Sequence, residues 1–511
     1  MKKLSLLMFL VGFLLLKPFQ LGLSDMMYYG DDFSYLAHAT ALAYGQFPSY
    51  KKEYYIDGGA SPLQSAGAGV MAAPFVAAFS VLDRVQGRTI VQQRTADTIH
   101  GTWTVYGFIF SSVFYLWLGC FLLYRGLRVY CGEFESVLAV FLNILCQGIP
   151  LMAFRRPVFS HVSEFFLTSL FVWWLLMPEK QRPSWTRGLP GALAFGVLTG
   201  CAGLVRLNNA PMMLVWPLLI AAQGDEKAAF RARATNVAVS WTVGAMIVGI
   251  FQIAPDLMHR NTGNNAVIRD LILNFQPPVF YIQRLWQVLT GVDWGLVYTA
   301  PFILLGLAAG LVMKFPRRKV LLLGCLPLLM NLYVALSWKT QGGWYGYRYL
   351  FPAAAPLVTL PLAVFLGRAR LRTGRAAVLA GCAVVCVLPL LSMLMFENIV
   401  PDLTLAPVRQ YWDVSGWGNN TYQVNLWAIF FHRPLEFWAN AIKGGPLYVV
   451  CYLAMFFNAA KALPPMLGRI LALYEPFSPL LFIKVHLIYM LPFILALFFG
   501  RGSDGEKAAG R

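Results

Sequence analysis

Charge is what this 511-residue chain has least of: Asp, Glu, Lys and Arg make up 13% of it, against 58% hydrophobic residues. A soluble domain carries about 25% charged residues, so a water-facing globular protein is excluded. Acids are the scarcer sign, 23 against 41 bases, for a net charge of +18. Those bases do not form a nucleic-acid face, because they sit in short clusters between apolar runs: Arg125/Arg128, Lys180/Arg182/Arg187, Arg231/Arg233, Lys314/Arg317/Arg318/Lys319 and Arg368/Arg370/Arg372/Arg375. Spaced this way they are topology signals that meet anionic lipid. The long loops lack cysteine. All eight thiols (120, 131, 146, 201, 325, 382, 386 and 451) lie in or beside apolar runs, without disulfide or zinc spacing. Neither a P-loop nor a GxGxxG turn is present, which removes the nucleotide-binding fingerprints.

What the chain has in abundance is apolar runs near the roughly 20 residues that cross a bilayer. They fall at about 4–23, 102–124, 134–153, 158–177, 235–254, 293–313, 319–337, 350–367, 376–396, 446–463 and 480–500, with two shorter ones within 188–223. This predicts an all-α polytopic membrane protein of about 13 transmembrane helices with helical extracytoplasmic loops. The first run has no small-residue cleavage site after it and reads as a retained helix. Lys2 and Lys3 precede it, which places the N-terminus inside, every basic cluster on the same side, and the C-terminus outside. Three long segments are then extracytoplasmic: 24–101, 255–292 and 398–445. The tail RGSDGEKAAGR reads as disordered.

Function is expected in the first of these segments. GDDFSYLAHATALAYG puts Asp31 and Asp32 at the membrane surface and continues as a helix-compatible run that stops at Gly45. On a helix Asp31, Tyr35 and His38 share a face at i, i+4 and i+7. Two adjacent carboxylates resist ionising together, so one is suited to taking a proton from an acceptor hydroxyl. Asp32 reads equally well as the N-cap of the helix. Further on, SPLQSAGAGVMAAPFVAAF carries a glycine-rich turn, Pro62 and Pro74, and reads as an interfacial or re-entrant helix over a lipid-facing site. Asp57 and Glu53 are spare acids in the same region, each also readable as a solvated loop residue.

Cations that violate the positive-inside bias mark candidate anion contacts. Arg348 lies in SWKTQGGWYGYRYLFP among Trp344, Tyr345, Tyr347 and Tyr349, with glycines that allow close backbone approach. It suits a bidentate phosphate contact or, alternatively, an interfacial anchor. Arg155 and Arg156 fall in the outer turn before FSHVSEFF, where His161 orients a phosphate or sugar or is structural, and Glu164 pairs with Arg156 or His161. Between the two short runs, GLVRLNNAP places Arg206, Asn208 and Asn209 near membrane depth. A charge there costs about 3 kcal/mol at the bilayer centre, so Arg206 faces protein, water or an anion unless the turn reaches the surface.

Taken in order, GDDFSYLAHATALAYG, SPLQSAGAGVMAAP, the Ser-His of FSHVSEFF, GLVRLNNAP, LTGVDWGLVYTAPFILLGLAAGL and SWKTQGGWYGYRYLFPAAAP resemble the pattern of polytopic GT-C glycosyltransferases. The bacterial relatives of protein O-mannosyltransferases, the lipid A aminoarabinose transferases and the galacturonosyltransferase group are the most similar. The resemblance covers roughly residues 1–400. It implies a 1–400 membrane domain with a catalytic outer loop at 24–101, followed by 401–511 as an outer loop plus C-terminal transmembrane helices. It further implies transfer of a hexosyl or pentosyl group from a polyprenyl-phosphate donor to a glycan, lipid or protein acceptor, on the extracytoplasmic face of a bacterial inner membrane. Asp31 matches the family's acid and would serve as base, while Asp32 stands where many relatives have Glu. SPLQS lacks the basic residue some relatives carry before Pro-Leu, which moves the donor-phosphate role to Arg348, Arg155, Arg156 and Arg206. Tyr35, His38, Asp57, His161, Trp344 and Tyr347 would line the substrate. Some relatives use a divalent cation (Mg or Mn) and others none; no metal-ligand spacing is visible here. The alternative is a secondary transporter or lipid-linked sugar flippase, which would carry inverted repeats and midplane charges; here polar residues concentrate in outer loops.

Overall fold

The computed structural model describes residues 31–48, 50, 62, 64–87, 102–154, 158–178, 188–223, 227–258, 276–290, 295–337 and 350–396. All regular structure among them is helical. The acidic stretch forms α1 (Asp31–Ala43) and the glycine-rich stretch leads into α2 (Gly67–Val85). The chain ends α1 just before Gly45, whose φ of 67° a side chain would resist. Pro74 lies inside α2 on the exposed side. The opposite side of α2 is a stripe of small buried residues, Gly67, Ala68, Gly69, Ala72, Val76 and Ser80, which packs on α1 and on the next helix, α3 (Trp103–Leu127).

Asp83, buried at the end of α2, explains why α3 starts where it does. Its two oxygens accept from the backbone N–H groups of Trp103 (2.9 Å) and Thr104 (2.8 Å), and from the Thr104 hydroxyl at 2.9 Å. Two of the donors that a helix start leaves orphaned are thereby satisfied, by a carboxylate where the helix dipole favours negative charge.

The run at 134–153, expected as one span, is interrupted. It forms α4 (Glu133–Val140), a π turn at Phe141–Leu145 and the short α5 (Ile149–Phe154). Polar side chains within it are responsible: Asn143 Nδ2 donates to the Ala355 carbonyl (2.6 Å) and Thr359 Oγ1 (2.9 Å), while Gln147 Nε2 donates to the carbonyl of Asn143 (2.9 Å). Widened turns of this kind let side chains compete for the backbone ladder.

Next come α6 (Ser160–Leu176), α7 (Gly188–Val205), α8 (Met212–Gln223) and α9 (Lys227–Val248), the last continuing through a π turn at Gly249–Ile253 into α10 (Ala254–Met258). The described chain closes with α11 (Pro278–Thr290), α12 (Leu296–Thr299), α13 (Pro301–Val312), α14 (Arg318–Gly324), α15 (Leu326–Ser337), α16 (Phe351–Thr373) and α17 (Arg375–Phe396). Helix α6 is the axis of the assembly: beyond a polar head at Ser160–Glu164 it is largely apolar, almost entirely buried, and packed against α3, α7 and α16. Among the described residues six helices are long and apolar enough to cross a membrane, and three shorter apolar ones accompany them. The protein is an integral membrane protein; of the predicted spans, those at 4–23, 446–463 and 480–500 lie outside the described residues.

The basic clusters are partly knitted into the fold. Arg370 Nε lies 2.8 Å from Glu135, a carboxylate buried on α4, and both Arg370 and Arg375 stack over Phe134. Cation and ring together shield that acid from the apolar surroundings.

Candidate active site

Helix α1 carries the first part of the site. Asp31 and Asp32 are the first described residues of this helix. Asp32 is fully buried. The Asp31 side chain, and with it the expected contact between Asp31 and Tyr35, lies outside the described residues. Tyr35 is buried and its hydroxyl donates to Ser160 Oγ at the head of α6, 3.3 Å away.

His38, one turn further, is only 1% exposed. Its Nε2 lies 3.0 Å from the Gln64 carbonyl, which only accepts, so the proton sits on Nε2 and Nδ1 accepts from the Tyr50 hydroxyl. Burial pushes the imidazole down to about 4, the hydrogen bond to Gln64 opposing it. His38 is therefore neutral at pH 7 and ties α1 to Tyr50 and Gln64. A histidine with a folded pKa below its unfolded value of about 6.5 adds stability above that pH and loses it as pH falls toward 4. Melting temperature is expected to drop across that window in the native protein, and the part of the slope due to His38 should vanish in His38→Gln. Parallel melting curves for the two proteins between pH 7 and pH 4.5 would show that His38 does not titrate this way.

The second part is the corner that follows α7. Arg206 is extended (φ −154°, ψ 126°) and leads into a 3₁₀ turn, Leu207–Asn209. The start of α2 holds this corner: Ser65 Oγ donates to the Val205 carbonyl at 2.9 Å, and a Cβ on Gly67 would stand 2.2 Å from the Val205 nitrogen. Only glycine permits two backbones to approach so closely. Likewise, the N–H of Ala66 donates to Gln252 Oε1 at 2.8 Å, and Gln252 in turn donates to Asp256 at 2.8 Å. The π turn of α9 is what carries Gln252 there.

From this corner Arg206 reaches back to the head of α6. Its Nε lies 3.1 Å from Glu164 Oε2, and its NH2 donates to Ser160 Oγ at 3.3 Å and lies 3.1 Å from His161 Nδ1. Glu164 Oε1 accepts from Asn209 Nδ2 at 2.9 Å; Asn209 Oδ1 accepts from Asn331 Nδ2 at 3.0 Å; and Asn208 donates to Asn331 Oδ1 at 3.4 Å. The sequence reading paired Glu164 with Arg156 or His161. His161 does lie within pairing distance at 4.0 Å, Arg156 falls outside the described residues, and a closer partner, Arg206 at 3.1 Å, is added because the end of α7 folds back beside α6. Ion pairs removed from water lose several kcal/mol of hydration per charge, and the amide chain from Asn209 to Asn331 helps to offset this.

Ser160 joins the two parts. Its hydroxyl oxygen accepts from Tyr35 on the acidic helix and from Arg206 at the corner. Ser160 belongs to the Ser-His that the sequence offered in FSHVSEFF, whereas Gln64 and Asn331 were not singled out; a lone amide in the apolar run LPLLMNLYVALS was the available signal for Asn331. Arg155, Arg156, Asp57, Trp344, Tyr347 and Arg348 lie outside the described residues, Arg155 and Arg156 in the gap before α6 and the last three in the gap between α15 and α16. Among the described residues no group of three or more His, Cys, Asp or Glu side chains is arranged to hold a metal ion.

No family model and no curated protein matches the chain. Solved structures do. Over 98% of this chain and 77% of the other, it is 14% identical to ArnT from Cupriavidus metallidurans bound to undecaprenyl phosphate, with a TM-score of 0.53. The apo state of ArnT from Cupriavidus metallidurans matches over the same shares at 14% identity and a TM-score of 0.49. The archaeal oligosaccharyltransferase AglB from Archaeoglobus fulgidus, in complex with an inhibitory peptide and a dolichol-phosphate, matches 78% of this chain and 58% of its own at 11% identity and a TM-score of 0.43. The first likeness shows the fold, which is the GT-C architecture that the sequence motifs resemble.

Proposed function

We propose that the chain is a membrane glycosyltransferase that moves a sugar from a polyprenyl-phosphate donor to an acceptor hydroxyl at the extracytoplasmic face of a bacterial inner membrane. The observation that carries this reading is the meeting at Ser160, where the helix bearing the acid pair and the Arg206 corner share one hydroxyl oxygen. Tyr35, from the helix that carries the acid pair, and the Arg206 cation meet there within a GT-C fold, which supports assigning both to one site, and a solved structure of that fold holds undecaprenyl phosphate.

In this mechanism Asp31 takes the proton of the acceptor hydroxyl, whose oxygen attacks the anomeric carbon. The bond to phosphate breaks on the opposite face, giving a single displacement with inversion. Charge then builds on the departing phosphate and is balanced by Arg206 and by Arg348, Arg155 and Arg156. Tyr35 and His161 line the sugar together with Asp57, Trp344 and Tyr347, and His38 keeps α1 in place. These steps use the chain's own side chains; a divalent cation enters none of them. The acceptor is a glycan, a lipid or a protein.

The test is transfer by purified protein in lipid nanodiscs supplied with polyprenyl-phosphate sugars. Mass spectrometry should find the sugar on an acceptor and free polyprenyl phosphate in equal amount. A transporter would leave the donor intact and merely relocate it, and that result would end the enzymatic reading. In the same assay Arg348→Lys should raise donor KM about tenfold, because lysine keeps the charge but loses the planar fork. Equal donor KM in wild type, Arg348→Lys and Arg348→Ala would take the phosphate role from Arg348.

A further inference from the structure

The cation that the described site offers an anion is already paired. Arg206 Nε lies 3.1 Å from Glu164 Oε2, with side-chain exposures of 14% and 0%. We propose that Glu164 is a resident counterion, which competes with the donor's phosphate for Arg206 and so speeds release of the lipid phosphate once the sugar has left. The inference rests on reading Arg206 as a donor-phosphate ligand.

The asymmetry in exposure sets the direction of the exchange. The guanidinium retains an accessible edge, whereas the carboxylate is sealed beneath it and cannot itself meet a ligand. Arg206 moves between two anions; Glu164 stays. The carboxylate is also fixed independently, since Oε1 accepts from Asn209, and Asn209 is fixed by Asn331, which donates to the Pro327 carbonyl at 3.0 Å. When Arg206 leans toward a phosphate, Glu164 keeps a donor and holds its position for the return. The other described contacts of Arg206, Ser160 and His161, are to uncharged oxygen and to imidazole nitrogen. They orient the fork without neutralising it.

Without Glu164 the cation would be left uncompensated in a low-dielectric corner and would seek any anion. A lipid phosphate would then bind more tightly in both donor and product, which helps capture and hinders turnover. Glu164 is thus a positioning residue acting through Arg206.

Undecaprenyl phosphate without sugar is the probe, its binding measured to purified protein in nanodiscs beside steady-state transfer. Glu164→Gln, which retains an acceptor for Asn209, should bind it about tenfold tighter, with donor KM and kcat both lowered. Glu164→Asp keeps the charge and should stay within about twofold of wild type. Weaker or unchanged binding by Glu164→Gln, with Arg206→Gln binding more weakly than wild type, overturns the counterion role alone. If Arg206→Gln binds the probe as wild type does, the phosphate reading of Arg206 falls and the counterion role with it. Should Glu164→Gln not fold, Glu164→Ser is the second variant, and failure of any folded neutral variant to tighten binding also overturns the proposal.

Discussion

Asp31→Asn is expected to lower transfer by about 10²- to 10⁴-fold, the range a general base contributes, while leaving the melting temperature nearly unchanged. Asparagine preserves the size of the side chain and its place in the first turn of α1 but cannot take the acceptor's proton. Asp32 is the internal comparison. It is fully buried, so Asp32→Asn changes an interior electrostatic environment and should lower the melting temperature, by about 1–3 kcal/mol in stability, along with any loss of activity. The two substitutions separate chemistry from support within one pair of neighbours. Full turnover in Asp31→Asn with the true donor would remove it from the role of base, whatever Asp32→Asn does.

Gly67→Ala is expected to be the most damaging small substitution in the described fold. Its methyl group would lie 2.2 Å from the nitrogen and 2.3 Å from the Cα of Val205, and 2.5 Å from the carbonyl carbon of Leu204. These are backbone atoms and no side-chain rotation clears them. The start of α2 must lift away, putting at risk the Ser65 contact with Val205 and the Ala66 contact with Gln252. A loss of about 3 kcal/mol is expected, at the upper end for overpacking. Activity should fall as well, because the next residue after Val205 is Arg206. Gly381→Ala, in α17, adds a Cβ that meets nothing within 4 Å and serves as the control, neutral or slightly stabilising. Equal melting temperatures for the two variants would contradict the close crossing of α2 and α7.

Local pattern carried much of this architecture. Apolar runs located α3, α6, α7, α9 and α16, and the shared face of Tyr35 and His38 was readable from their spacing on α1 because helical periodicity is a property of one segment. The contacts of Glu164 with Arg206 and Asn209 were not readable: Asn209 stands 45 residues further along and its own partner Asn331 another 122, and no local rule brings them together. In SAGAG, Gly67 is one of two glycines that local pattern does not distinguish, since what makes it special is the backbone of another helix. The break after α4 was not readable for the same reason: Asn143 bonds to Ala355 and Thr359, more than 200 residues further along, and these contacts accompany the π turn.

The Glu164–Arg206 pair also bears on how the chain is made. Helix α6 enters the bilayer during synthesis with a carboxylate whose cation has not yet been translated, and whose amide donor comes 45 residues later. An acid in a lone span costs up to about 3 kcal/mol at the helix centre on insertion scales, and part of that one turn inside the head, where Glu164 sits. The nascent helix α6 therefore has reason to stay beside the translocation machinery until α7 and the Arg206 corner emerge, so that the two helices move into lipid as one neutral hairpin. Removing Arg206 would then be felt first in biogenesis, as α6 hesitates at the exit, before any finished molecule is asked to bind a phosphate.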